Sequence, residues 1–362
     1  MKKILFSLFV SASTAFTLKA KILTVSNNTN SPGQYSDLQA ACDAASANDT
    51  IYVHASEKDY GNINIRKKLV LIGEGTLPNQ QIRLMTYVGQ ITFTHATEST
   101  SSATSSGSKV YGINSTFAIG TNKDGYGLGG FTLERCKGNI QVQGLINTSN
   151  IIINQFVGSI TFSLRLTNSI ISNSILSSIA WGEGDYGSVN KSSNNIVRNC
   201  IIGNNCSVYG AVVTNNIFYE PTLEPNINTK NSTYNNNLFY FKSIPILVNA
   251  TTTATGNVFN QDPMFVNPES LASNVVQYSY TTQGNFANFN LKPVSPALTM
   301  GTDGTQIGIY GGPTPWVDGG EGVFRYGTMP SQVPYVTDMD ILNTAIPENG
   351  TLNVKIKART QQ

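Results

Sequence analysis

The chain has 362 residues and a net charge of +2, and only 12% of its residues are charged. A charge this small does not imply a nucleic-acid or other polyanionic partner. Hydrophobic residues make up 40% of the sequence, which excludes a disordered chain despite the many Asn, Ser, Thr and Gly residues. We therefore expect a large core, many turns and few surface charges.

The N-terminus predicts a secretory signal over residues 1–20. Two lysines precede the apolar run of residues 4–10, and small residues follow, with cleavage expected after Ala15 or Ala20. This run is too short to span a bilayer, and no later stretch reaches the roughly 20 apolar residues that a spanning helix needs. No cysteine suitable for a lipid anchor lies near the cleavage region. The sequence predicts a secreted or cell-surface protein without a transmembrane segment.

A short helix is predicted after an edge-like strand at residues 21–26. Ser36 can cap this helix, and Gln39 three positions later can complete a capping box. Its apolar residues share one helical face: Leu38, Ala41, Cys42 and Ala45. A one-sided helix that precedes a stack of strands indicates a cap over the open end of that stack.

The clearest pattern is a repeat between residues 150 and 260. Short apolar segments rich in β-branched residues follow polar pairs, often Asn-Asn, on average about every 20 residues, as in solenoid coils. Asn tolerates the left-handed backbone conformation, so it can turn the chain between two short strands. The equivalent apolar residues are Phe156, Ile175, Ile201, Ile217, Leu238 and Val258.

Stacked coils would align the polar residues in two columns, whose Asn side chains can hydrogen-bond along the stack. Parallel strands about 4.8 Å apart would then satisfy the backbone. One column is predicted to hold Gln155, Ser174, Cys200, Asn216, Asn237 and Asn257, and its neighbour Asn154, Asn173, Asn199, Asn215, Asn236 and Gly256. Because Cys200 would lie inside, we predict buried free thiols rather than disulfides for Cys42, Cys136, Cys200 and Cys206.

These features resemble the secreted right-handed parallel β-helix proteins, pectate-lyase-like in fold, of the Bacteroidetes type. The stretches that carry the resemblance are YSDLQAA at 35–41, NDTIYV at 48–53, the Asn-Asn-Ile-Phe coils, DPMFV at 262–266, FNLKPVSPA at 289–297 and IGIYGG at 307–312. The resemblance implies an all-β, right-handed parallel β-helix over residues 21–320, closed by the last three stretches. It does not fix an activity, because such proteins include polysaccharide lyases, epimerases, hydrolases and members with no known reaction.

Residues 321–362 are predicted to form a C-terminal β-strand extension. Residues 333–342 and 352–358 indicate two strands around Pro347-Glu348-Asn349-Gly350, which is a short β-hairpin. In the second strand apolar residues alternate with polar or basic ones, so one face is apolar and the other cationic. We expect this hairpin to pack on the flank of the helix or on its C-terminal end.

One segment is the best candidate for a site, because it falls in the longest step of the repeat and should bulge from the stack. It offers Trp181 and Tyr186 as ligand-binding aromatic rings, which suit sugar stacking. The catalytic candidates are Glu183 and Asp185, with Arg165 and Arg198 from neighbouring coils. The alternative is a Gly-rich turn whose aromatic residues cover the flank and whose acids are solvated.

Metal and cofactor sites are not predicted. The β-helix lyases commonly hold Ca²⁺ with clustered carboxylates, but no three acids between residues 110 and 260 recur at one-coil spacing. Ca²⁺ therefore belongs only to a lyase-like alternative. The Gly-His-Gly motif of the pectin hydrolases is missing, since the only histidines are His54 and His95. Glu134, Arg135 and Lys137 are expected to form a solvated rim.

Two functions stay open. The first is a non-catalytic protein that binds extracellular polysaccharide or builds surface structure. The second is a polysaccharide-modifying enzyme, lyase-like or epimerase-like, that acts on uronate-containing glycans. Clustering of Glu183, Asp185 and an arginine in one groove would favour the enzyme, and their dispersal would favour the binding protein.

Overall fold

The computed structural model describes residues 20–29, 31–75, 85–94, 104–120, 128–142, 147–184, 191–247, 249, 251–268, 270–271, 288–316, 335–341 and 354–359. In these residues one α-helix, α1 (Leu38–Ala44), accompanies a long series of short strands. The strands are β1 (Ile22–Val25), β2 (Thr50–Val53), β3 (Ile63–Ile65), β4 (Val70–Ile72), β5 (Tyr87–Phe93), β6 (Lys109–Tyr111), β7 (Asn114–Ile119), β8 (Thr132–Glu134), β9 (Lys137–Val142), β10 (Thr148–Ser149), β11 (Ile152–Asn154), β12 (Val157–Thr167), β13 (Ile170–Ser172), β14 (Ile175–Gly182), β15 (Asn195–Arg198), β16 (Ile201–Tyr209), β17 (Ala211–Thr214), β18 (Ile217–Glu220), β19 (Asn226–Lys230), β20 (Thr233–Asn235), β21 (Leu238–Phe241), β22 (Thr253–Thr255), β23 (Val258–Phe259), β24 (Phe265–Asn267), β25 (Asn288–Leu291), β26 (Tyr335–Ile341) and β27 (Val354–Arg359).

Two parallel sheets face each other across one core. An 11-stranded sheet runs β1-β2-β4-β6-β8-β11-β13-β15-β17-β20-β22, and a 12-stranded sheet runs from β3 to β23 along the same axis. From β2 onward each coil contributes one strand to the 11-stranded sheet and one or two to the other, and equivalent strands of successive coils pair in parallel register. This is a parallel β-helix, and it confirms the fold class that the sequence predicts. Connections between parallel strands are right-handed in nearly all proteins.

A polar ladder lies inside the C-terminal coils. The Asn216 side-chain amide donates to Asn237 Oδ1 at 2.9 Å, and the Asn237 amide donates to Asn257 Oδ1 at 2.9 Å. The backbone N–H of Cys200 donates to Asn216 Oδ1 at 2.8 Å, so the ladder also holds the chain where it enters a strand. The predicted column of Asn216, Asn237 and Asn257 is confirmed.

The prediction was wrong by one residue in the coil before Ser174. Ile153 pairs with Ile171 and Val157 with Ile175, so Phe156 rather than Gln155 lies next to Ser174. The backbone N–H of Phe156 donates to Ser174 Oγ at 3.1 Å. The inward position that holds Ser174 in the next coil holds the buried aromatic residue Phe156 in this one. An alignment based on polar pairs therefore misses this equivalence.

The neighbouring column forms the turns between the two sheets. Gln155, Asn173, Asn199, Asn215 and Asn236 all have positive φ, between 46° and 58°. Asn accepts this left-handed conformation more easily than most residues, which explains its recurrence. Gln155 belongs to this column, and Asn154, which was predicted to lie there, pairs with Ser172 instead.

A C-terminal strap, the described residues between 261 and 316, covers this turn column. The amide of Asn236 donates to the carbonyl of Met300, and the amide of Asn173 donates to the carbonyls of Ile309 and Gly311. The strap therefore runs back along the flank of the stack, toward its N-terminal end. The resemblance implied that these stretches close the helix, and this is corrected: they cover its side.

The helix α1 caps the N-terminal end, with Leu38, Ala41 and Cys42 buried. Its N-cap is Asp37, whose carboxylate accepts the N–H of Ala40 at 2.7 Å, so the predicted capping box from Ser36 is wrong by one residue. Asp and Ser cap helices equally well, and the sequence offers both side by side.

Three further predictions concern the cysteines, the C-terminus and membrane spans. Cys42, Cys136, Cys200 and Cys206 are buried and free, as predicted. Strands β26 and β27 pair antiparallel, which confirms the hairpin. Among the residues described, no helix has the length and apolar character that a bilayer crossing requires. Residues 1–19, which include most of the predicted signal, lie outside the described part of the chain.

Candidate functional site

The bulge after β14 is not the aromatic platform that the sequence predicts. Trp181 is only 2% exposed and belongs to the interior core of the β-helix. Its indole N–H donates to the carbonyl of Tyr209 at 2.8 Å, which satisfies its polar atom inside the protein. The ligand-binding role predicted for Trp181 is therefore corrected to a core role, because the ring lies at an inward position of β14. Tyr186 lies outside the described residues.

Of the catalytic candidates, only Glu183 and Arg165 lie near each other in the described part of the chain. Glu183 binds Lys191 at 2.8 Å and Lys230 at 3.1 Å, and the hydrogen bonds from these two lysines lower the pKa of its carboxyl group. Arg165 lies one strand away, paired with Gly182. Asp185 lies outside the described residues.

Arg198 belongs to a different surface. The carbonyl of Glu183 accepts the N–H of Ser192 at 2.8 Å, and from there the chain leads away along β15. Arg198 is at the far end of β15, up to about 20 Å from that contact at the rise of an extended chain. Its partly exposed side chain alternates with buried Val197, so it faces outward from the 11-stranded sheet.

On the outer face of the 12-stranded sheet, the first outward-facing residues of successive strands form a row along the stack, here called the first row. This row is apolar at one end and polar at the other. In the C-terminal coils the row is apolar and packs under the strap, against Phe265, Leu271, Phe289 and Trp316 among others. In the N-terminal coils the equivalent positions are Tyr87, Asn114 and Lys137. The apolar members of the row are Val157, Ile175, Ile201, Ile217 and Leu238.

A groove of about 200 Å³ opens where the row becomes polar. Strands β5, β7 and β9 form its floor, and the loop before β3 contributes Asp59. Gly138 allows the backbones to approach here, since it has a φ of 136° and a Cβ at this position would clash with the carbonyl oxygen of Ser115. The lining residues are Asp59, Tyr87, Val88, Gly89, Asn114, Ser115, Thr116, Lys137, Gly138 and Asn139.

Lys137 is the cation of this groove. Its side chain is 4% exposed, and burial lowers the pKa of its ammonium group to about 7. Arg135, two residues earlier, is 1% exposed and donates from Nε to Gln155 Oε1 at 2.8 Å. The prediction that Arg135 and Lys137 form a solvated rim is wrong for both residues.

Three further groups define what the groove can bind. Asn114 is 4% exposed, and its Oδ1 has no hydrogen-bond partner in the part of the chain that the structure describes. Asp59 Oδ1 accepts the N–H groups of Gly61 at 2.6 Å and Gly89 at 2.9 Å, which fixes the carboxylate at the edge of the groove. Burial raises the pKa of Tyr87, so its hydroxyl stays protonated. The groove is thus lined by a buried ammonium group, a buried amide oxygen, a carboxylate and a phenol.

A second row on the same face extends the polar surface beyond the groove. Its members lie on neighbouring strands, are uncharged, and are half-buried or exposed. Ser159 donates to Asn139 Oδ1 at 2.6 Å, and Asn226 donates to Asn205 Oδ1 at 2.9 Å, so these side chains hold one another in place. The row consists of Gln90, Thr116, Asn139, Ser159, Ser178, Asn205 and Asn226.

No group of three or more His, Cys, Asp or Glu side chains that could hold a metal ion occurs among the residues with a described position. The Ca²⁺ of a lyase-like alternative would need ligands beyond Asp59, the one acid that lines the groove.

Comparisons with known proteins do not assign a function to this chain. No protein-family model matches the chain, and no curated protein matches it. Among solved structures, the chain is similar to the crystal structure of the pectin methylesterase from Aspergillus niger in deglycosylated form. The identity is 17% and the TM-score 0.26, over 74% of this chain and 91% of that chain. A likeness this low carries no argument, and the fold assignment rests on the strand register.

Proposed function

We propose that this protein is a secreted or cell-surface glycan-binding protein whose binding surface is the outer face of the 12-stranded sheet. The observation that carries the proposal is the continuous row of uncharged polar side chains that ends at the groove of Asn114 and Lys137. Rigid rows of amide and hydroxyl groups suit the hydroxyls of a polysaccharide, and they cost little entropy to bind because the strands already hold them.

The groove favours a sugar that carries a carboxylate. The ammonium group of Lys137 can pair with an anion, and Asn114 Oδ1 can accept a hydrogen bond from a sugar hydroxyl. Asn114 Oδ1 is buried and has no partner among the described residues, which is unfavourable, so a sugar hydroxyl that bonds to it gains affinity. Uronate-containing glycans combine both groups in one residue.

Calorimetric titration with a tetramer of galacturonic acid, and with its fully methyl-esterified form, tests this proposal. We expect the acidic tetramer to bind at least about tenfold more tightly, which corresponds to about 1.4 kcal/mol. Lys137→Met should remove that preference. Glu183→Gln, which changes the predicted bulge instead, should leave both affinities within about twofold. Equal binding of the two tetramers, or a loss confined to Glu183→Gln, would contradict the proposal.

A second function, a lyase-like or epimerase-like enzyme, is favoured by one specific observation. A lysine with a pKa of about 7 is partly neutral at physiological pH, and a neutral amine can act as a base. It could take the proton at C5, next to the carboxylate. In a lyase the electron pair then forms a C4=C5 double bond, the C4–O bond breaks, and the leaving oxygen takes a proton. In an epimerase a proton from water adds to the opposite face of C5, and the lysine releases to water the proton that it took.

The lyase is tested by screening uronate-containing polysaccharides for the absorbance of new double bonds, and the epimerase by uptake of solvent deuterium at C5 of the same polysaccharides. If the second function is right, the rate should rise with a midpoint near pH 7, and Lys137→Met should abolish it while Glu183→Ala should not. Activity that Glu183→Ala abolishes would return the site to the bulge after β14. If the polysaccharide binds but neither the lyase assay nor the epimerase assay detects a product, the protein is a binding protein and the second function is wrong.

A further inference from the structure

The C-terminal end of the β-helix leaves its interior open in the described residues. Strands β22 and β23 are the last strands of their sheets. Ala254 and Phe259 occupy the inward positions of this coil and are partly exposed, whereas the residues one coil earlier, Tyr234 and Phe239, are at most 1% exposed. Among the residues that the structure describes, the edges of both sheets and the core are therefore uncovered at this end.

An apolar cavity of about 410 Å³ marks this end. Its wall includes Leu247, Phe259 and the two most exposed large apolar residues near it, Ile244 at 61% and Ile246 at 88%. An apolar surface of this kind, beside unpaired strand edges, requires a cover in a soluble repeat protein.

The interior ladder also stops here without a final member. The backbone N–H of Asn216 donates to Asn237 Oδ1, and that of Asn237 donates to Asn257 Oδ1, both at 3.0 Å. Asn257 lines the cavity, and no described residue takes the next place in the column. The opposite end of the stack is closed by α1, so the fold already uses one cap of its own.

The hairpin of β26 and β27 has the properties of a second cap. Its register pairs apolar residues with apolar ones, Met339 with Ile356 and Ile341 with Val354. It also pairs Asp340 with Lys355, a combination of opposite charges that stabilises a hairpin. An isolated two-stranded hairpin is only marginally stable in water, so this one needs an apolar partner.

The tether between the strap and the hairpin is long enough. The strap ends at Trp316, whose indole N–H bonds to the carbonyl of Asn173, four coils before the open end. Four coils occupy about 20 Å. Residues 317–334 could span about 60 Å if extended.

We propose that the hairpin of residues 335–359 docks on the open C-terminal end of its own β-helix and serves as its cap. It covers the cavity around Ile246 and Phe259, and it supplies polar groups near Asn257 and the edges of β22 and β23. The occupant is this segment of the same chain, not a second copy.

Cysteine cross-linking in the full chain tests the cap. Ile246→Cys and Ala358→Cys are introduced together, and copper phenanthroline is the oxidant. The four native cysteines are buried and do not compete. We expect a disulfide within one molecule, detected as a linked peptide by mass spectrometry, at a yield several times that of the control pair. The control pair is Ile22→Cys with Ala358→Cys, because Ile22 is 61% exposed at the opposite end of the stack.

Three outcomes would overturn the proposal. They are no link in either pair, equal links in both pairs, and a link that forms only between molecules, which would mean that a second copy covers this end. Labelling of each single-cysteine variant with a maleimide before oxidation shows that the introduced thiols react, so a missing link cannot come from an inaccessible thiol.

Discussion

Asn237 shows how one residue type builds this protein. Its Oδ1 accepts the backbone and side-chain N–H groups of Asn216, and its amide donates to the carbonyl of Val213 and to Asn257 Oδ1. Three of these contacts are buried, where an unpaired polar group costs about 1–3 kcal/mol, and the fourth, to Asn257, is partly buried. The sequence predicts this column because the coils there are nearly uniform in their polar pairs.

We expect Asn237→Ala to lower the free energy of unfolding by about 2–4 kcal/mol, since it strands polar groups of both neighbours. Chemical denaturation measures this. Asn205→Ala is the matched control, because Asn205 also bonds to the coil above, through Asn226, but lies exposed. Its effect should stay within about 0.5 kcal/mol. Equal effects of the two substitutions would contradict a stabilising interior ladder.

Lys137 makes a prediction about pH. Its pKa in the folded protein, about 7, is lower than the ordinary lysine value of 10.5, so between these values the unfolded chain binds more protons. The free energy of unfolding should therefore rise with pH in that window, by up to about 1.4 kcal/mol per pH unit from this residue. Below pH 7 both states are protonated and the contribution to the slope disappears.

The difference between the wild-type protein and Lys137→Met isolates this slope. The best range for these denaturation experiments is pH 7 to about 8.5. At higher pH the thiols ionise in the unfolded chain but not in the folded protein, where burial raises their pKa to about 12, and this adds a second pH dependence. A difference that does not change with pH would show that Lys137 is not desolvated. The sequence could not reveal this burial, because Glu134, Arg135 and Lys137 have the composition of a surface turn.

At the scale of elements, the repeat pattern does not predict how the strap contacts the turn column. The turn column was expected to be a ladder like its neighbour, but its amides bond outward to strap carbonyls, as at Asn173 and Ile309, which are 136 positions apart in the sequence. Local periodicity carries no signal for such a distant contact. The coils, the start of the cap helix and the hairpin are local features, and these could be predicted to within one or two residues, whereas the helix ends at Ala44, before the expected end near Asn48.

Substitution of Asn173 separates its two roles. Asn173→Gly keeps the positive φ at little cost and removes the amide, whereas Asn173→Ala removes both. We expect hydrogen exchange in residues 307–316 to accelerate in both variants, because the carbonyls of Ile309 and Gly311 lose their donor. Asn173→Ala should be less stable than Asn173→Gly by about 1 kcal/mol. Unchanged exchange in the strap would show that Asn173 does not hold it.

At the scale of the whole molecule, the strap divides the outer face into two regions. It covers the apolar part of the first row and leaves the polar part, with Tyr87, Asn114 and Lys137, as a groove. The sequence placed the site at the longest step of the repeat, where Trp181 lies, because a bulge there breaks the local pattern. The groove breaks no local pattern and arises only when three distant strands are stacked.

Hydrogen exchange of the full chain, with and without a saturating tetramer of galacturonic acid, tests the central claim that the groove is the ligand site. We predict that the ligand slows hydrogen exchange in residues 85–94, 114–119 and 137–142, which contain the groove strands β5, β7 and β9. Residues 177–184 and 191–194, around the bulge, should exchange as before. Protection confined to the bulge, with none on β5, β7 and β9, would contradict the account.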